Sequence, residues 1–162
     1  MIDRYALPEL RALFSEQRKL ELWLRIELLA VEALHAAGVV PDADWERIKA
    51  ARIELDAERA HEIEQESQHD VIAFLRSVTE RLGPEGRWLH YGLTSSDLLD
   101  TASAVVLRDA TAVVEEEVAG LAGAARRLAV GDPALAARVD ELRAELAGGA
   151  EVGIDPRESS QP

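Results

Sequence analysis

An all-α fold is predicted by three features of the sequence. Apolar residues recur at mixed spacings of three and four over long stretches, no run alternates apolar and polar residues for a useful length, and Gly, Pro and hydroxyl residues fall where helices would start or stop. With 162 residues, the chain has the length of one common domain and can bury a core without staples.

Each element follows in order. Pro8 suits the first turn of a short helix, and Ser15 can cap a longer one that runs to about Ala37, where Gly38 supplies the stop. Within it Leu20, Trp23, Leu24, Ile26, Leu28, Val31 and Leu34 make a broad apolar face. Glu21, Arg25, Glu27 and Glu32 interrupt that window, so it reads as an amphipathic helix and not as a membrane span of ~20 apolar residues. After the turn GVVPDAD, a shorter helix around Trp45 to Arg52 leads into DAERAHEIEQES, whose charges predict a mostly solvated helix. Ser67 begins the next segment, where Val71, Ile72, Phe74, Leu75, Val78 and Leu82 form a core stripe that ends at Gly83-Pro84. From about Thr94 a long helical pattern passes through Leu98, Ala102, Val105, Val106, Ala110, Val113, Val114 and Val118 toward Leu128. Asp132-Pro133 breaks it, a further helix is expected from Ala134 to Ala147, and disorder is expected beyond Gly148-Gly149.

Charge and composition narrow the function. Eighteen Lys and Arg against 31 Asp and Glu give a formal net charge of -13, which disfavours generic nucleic-acid binding. An anionic ligand would have to be gripped locally, by a few cations or by helix ends. There is no Cys, which excludes disulfides, thiolate metal sites and cysteine nucleophiles. The opening MIDRYALPEL lacks the basic flank and apolar core of a signal peptide, so a cytoplasmic protein is expected, with no membrane partner. The HEIEQE stretch at 61–66 has no H-E-x-x-H arrangement, and no glycine-rich phosphate loop is present, so neither a metal site nor a nucleotide loop is expected.

Two hydroxyl clusters carry chemical interest. Ser67-Gln68-His69-Asp70 and Thr94-Ser95-Ser96-Asp97 both have the form of a capping box, in which the first hydroxyl accepts from the third helical residue and the acid reaches back. The same geometry can hold an anion, because a helix start exposes unpaired N–H groups and the positive end of its dipole. Gly92, with no Cβ, would let the backbone come close to such a ligand. His35 and His61 read as surface or core-edge residues, while His90, between Trp88 and Tyr91, reads either as a packed aromatic neighbour or as a pocket wall.

MIDRY at the start, HDVIAF at 69–74 and WLHYGLTSSDLLDT at 88–101, together with QRKLELWLRIELLAVEALHAAGVVP, closely resemble the N-terminal region of bacterial adenylosuccinate lyase, a family of the fumarase and aspartase superfamily. The resemblance runs to about residue 128. It implies an N-terminal helical domain over 1–93, the beginning of a central bundle helix over 94–130, and a divergent tail over 131–162. It also implies a carbon–nitrogen lyase reaction of purine biosynthesis. Fumarate is eliminated from adenylosuccinate to leave AMP, and likewise from the succinyl-carboxamide imidazole nucleotide, with no metal or organic cofactor.

Carried over by position, Arg4 and Tyr5 match the family's phosphate-binding pair, and His69 a histidine viewed as a proton donor or a substrate-orienting group. Asp70 follows it in the same motif, and Thr94 and Ser95 match the pair that contacts the succinyl group. The family assembles as a homo-oligomer whose active sites draw on several subunits. Two departures matter. Gln68 stands where the family often has Arg, and neither the Gly-Arg-Thr-His segment with the second histidine nor the serine-bearing loop occurs in this sequence. The expectation is a truncated lyase-like protein that is inactive alone or depends on other subunits. The alternatives are a non-catalytic helical module that associates with full-length lyase, and a shortened gene product with a tail read in another frame.

Overall fold

The computed structural model describes residues 3–129 and 132–148, and the region of expected disorder beyond Gly149 lies outside them. Seven α-helices and two short 3-10 turns, with no strand, make up the regular structure of the described residues: α1 Pro8–Leu13, α2 Glu16–Ala36, α3 Asp42–Ala50, α4 Ala57–Ser67, α5 Asp70–Thr79, α6 Ser95–Leu128 and α7 Pro133–Gly148. The 3-10 turns are Asp3–Tyr5 and Pro84–Trp88.

Local chemistry sets most of these boundaries. The Ser15 hydroxyl accepts from the Arg18 N–H at 3.2 Å to start α2, and Gly38, at φ 76°, turns the chain after it. α3 begins earlier than its apolar pattern suggested, because Pro41 precedes it and Asp42 and Asp44 sit in its first turn, where the dipole favours acids. The Asp56 carboxylate caps α4 by accepting from the Arg59 N–H at 2.9 Å. Although α4 is charged, Ala60 and Ile63 are buried against the core side, and α4 and α5 pack closely as neighbours. Arg59 ties the two together with a bidentate pair to Glu80, Nε to Oε2 at 3.0 Å and Nη2 to Oε1 at 2.8 Å. That pairing raises the Arg59 pKa and lowers that of Glu80.

The first capping box is corrected by the structure. Ser67 is the last residue of α4, and Gln68 closes that helix in the left-handed region at φ 53°. The cap of α5 is His69, extended at φ -150°, whose Nδ1 accepts from the Ile72 N–H at 3.5 Å. The Ser67 hydroxyl instead donates to the His69 carbonyl at 3.3 Å, and Asp70 accepts from the Val71 N–H at 2.8 Å. The physical reason is the helix reversal: one left-handed residue must intervene before a new helix can start, which moves the cap two residues along.

The described residues form two compact units that divide at Thr111 and Ala112, within α6. In the first, Leu20, Trp23 and Val31 of α2 meet Val71, Phe74 and Val78 of α5 and Leu98 of α6, all nearly inaccessible to water. Trp23 and Phe74 pack edge to face with ring centroids 5.4 Å apart. In the second, Asp132 caps α7 by accepting from the N–H groups of Ala134 and Leu135, and Arg126 pairs with Asp140.

Candidate functional site

The start of α6 is built by the second capping box. Asp97 Oδ2 accepts from the Thr94 N–H at 2.7 Å and from the Thr94 hydroxyl at 2.8 Å, and the Thr94 hydroxyl oxygen accepts from the Asp97 N–H at 3.3 Å. These bonds hold the Asp97 carboxyl below the usual aspartate range. Two N–H groups of the first turn, those of Ser95 and Ser96, face no acceptor among the described residues, and the half-buried Ser95 hydroxyl makes no hydrogen bond there. Just upstream, Gly92 sits at φ 78° with open space where a side chain would begin. The arrangement offers hydrogen-bond donors and a positive dipole end to an anion.

The segment leading into α6 is anchored by two acids: Glu27, read from the sequence as an interruption of an apolar window, and Asp44, for which the sequence suggested no role. Asp44 of α3 accepts through Oδ2 from Arg87 Nη2 at 2.6 Å and from Trp88 Nε1 at 2.7 Å. Glu27 of α2 is wholly buried; its Oε2 accepts from the His90 N–H at 2.6 Å and its Oε1 lies 2.7 Å from His90 Nδ1. His90 itself sits in the left-handed region at φ 61°. Its ring is tied to the core through Glu27 while its side chain keeps 22% exposure. A signal for Glu27 exists in the sequence, since it stands four residues from both Trp23 and Val31 on one helix row.

The remaining candidates lie apart from this cap in the hydrogen-bond pattern. His69 Nδ1 is 3.6 Å from Asp70 Oδ1, with both side chains two-fifths exposed. Arg4 lies over the ring of the exposed Tyr5, its guanidinium carbon 4.7 Å from the centroid. Among the described residues, no hydrogen bond or ion pair joins Arg4, Tyr5, His69 or Asp70 to Thr94 or Ser95, so the structure brings together two pairs and one cap.

No protein-family model matches the chain. The chain is, however, 42% identical over 118 residues to adenylosuccinate lyase of Staphylococcus saprophyticus, a stretch that covers 73% of this chain and 27% of that protein. The chain is a relative of adenylosuccinate lyase, within the fumarase/aspartase superfamily. Its fold agrees: a crystal structure of fumarate lyase from Mesorhizobium sp. BNC1 superposes with a TM-score of 0.68 at 24% identity, covering 74% of this chain and 29% of that one. The chain thus spans a little over a quarter of the length of the lyases it matches. No helix among the described residues is long and apolar enough to cross a membrane.

Proposed function

We propose that this chain carries the succinyl-binding part of an adenylosuccinate lyase site and does not turn over substrate alone. The observation that carries the reading is the 42% identity to an adenylosuccinate lyase, which spans most of the chain. In the lineage reaction a base removes a proton from the succinyl carbon beside a carboxylate, and an acid protonates the departing nitrogen, releasing fumarate. Donors aimed at the substrate carboxylates stabilise the charge that builds up on that carbon. Thr94 and Ser95 would supply such donors, Arg4 and Tyr5 would hold the phosphate, and His69 with Asp70 would orient the succinyl group or pass a proton. No metal or organic cofactor is required by this chemistry. The serine-bearing loop and the second histidine segment do not fall within these 162 residues, so turnover needs those parts in addition to them. The cytoplasm is the compartment of this reading.

A second reading, association with other lyase chains through α6, is favoured by one observation. Val114, Leu121 and Leu128 recur every seventh residue in the second half of that helix and are 50%, 71% and 86% exposed. A heptad row of exposed apolar residues is what a helical bundle seam presents. The two readings are compatible, and a homo-oligomer or a mixed assembly would satisfy both. The test is an absorbance assay of fumarate release by the purified chain. No turnover alone, with turnover restored by lyase subunits that carry the missing loop, is expected; turnover by the chain alone would overturn the claim of dependence.

A further inference from the structure

Among the described residues Glu27 is the most deeply buried ionisable side chain, and both of its oxygens are spent on one residue. A buried carboxylate placed in the middle of an apolar helix row costs stability unless it is fully hydrogen-bonded. Its two contacts act on different parts of His90. Oε2 accepts the backbone N–H, which holds a left-handed conformation that a histidine does not adopt freely. Oε1 meets ring Nδ1. The His90 carbonyl in turn accepts from the Leu93 N–H at 3.3 Å, one residue before the Thr94 cap.

We propose that Glu27 is a positioning residue for the site at the start of α6: its carboxylate fixes the His90 backbone and accepts the Nδ1 proton, leaving Nε2 as the free ring nitrogen. The backbone carries that positioning to the cap: the His90 carbonyl accepts from the N–H of Leu93, the residue next to Thr94. The role rests on the reading of the cap as a substrate site, but the hydrogen bond at its centre does not. A protonated carboxyl donating to a bare Nδ1 would give the same heavy-atom distance, so the two arrangements are separated by where the proton sits.

The test is a long-range 1H–15N spectrum of the His90 ring in the full chain at neutral pH. A protonated Nδ1 is expected; a bare Nδ1 with the proton on Nε2 overturns the proposal. In Glu27→Gln the amide offers one acceptor where two donors point, so the Nδ1–H signature is expected to give way to exchanging tautomers while the helical circular dichroism is kept. Adenylosuccinate affinity, read by calorimetry, is expected to fall about tenfold, the scale of one charged hydrogen bond. An unchanged ring signature together with unchanged affinity in Glu27→Gln overturns the positioning role. If the unaltered chain binds no adenylosuccinate, the site reading fails instead, and the ring spectrum alone decides for Glu27. If Glu27→Gln does not fold, the spectrum of the unaltered chain still decides.

Discussion

Asp97 and Thr94 hold each other at the start of α6 through three hydrogen bonds, two of them accepted by a single carboxylate oxygen. The pair fixes the turn that presents Ser95, and it also occupies the Thr94 hydroxyl. A ligand that uses that hydroxyl must therefore compete with Asp97.

Replacing Thr94 by Ala removes the cap oxygen, and a loss of about 1 kcal/mol in stability is expected from the usual worth of an N-cap. Thr94→Ser keeps the hydroxyl and should recover most of that loss. Urea unfolding of the three chains measures both.

The lowered pKa of Asp97 predicts the acid side of the stability profile. Its proton is bound more tightly in the unfolded chain than in the folded one, so the contribution is complete above the ordinary aspartate value of about 3.9 and lost as pH falls through the depressed folded value. Glu80, lowered by Arg59, acts in the same direction. Asp97→Asn should flatten the acid slope of urea midpoints in part, and Asp97→Asn with Glu80→Gln should flatten it further.

Removing the ring of His90 leaves the Glu27 carboxylate buried with the backbone N–H as its one remaining donor. His90→Ala is expected to lose about 2 kcal/mol, the scale of one hydrogen bond to a buried charged acceptor. A thermal or urea series against His61→Ala, whose ring meets Gln65 at the surface, gives the comparison.

The readable and unreadable parts of this chain differ in a physical way. The Thr94-to-Asp97 box was legible because its partners lie three residues apart on one helix start. The same motif shape at Ser67 to Asp70 misled, since the left-handed turn at Gln68 comes from the reversal between α4 and α5 and not from local sequence. Glu27 was read as an interruption of the apolar face because charge was weighed before position, while its row with Trp23 and Val31 pointed inward. Asp44 and its bonds to Arg87 and Trp88 join residues more than forty apart, a pairing no local pattern encodes.

For the proposed substrate contacts, His69→Ala and Ser95→Ala should each weaken adenylosuccinate binding several-fold, as loss of one hydrogen bond does, while His35→Ala should not. His35 pairs with Asp42 at 2.9 Å and stacks on Trp45, at the turn between α2 and α3. Equal effects from all three would place the ligand elsewhere or assign the losses to folding.

The most direct test of the central claim is a calorimetric titration of the purified chain with adenylosuccinate, followed in the same cell for fumarate by absorbance. Saturable binding with no fumarate formed is the predicted result. Absence of binding would contradict the assignment of a succinyl site, and steady fumarate release would contradict the dependence on other subunits.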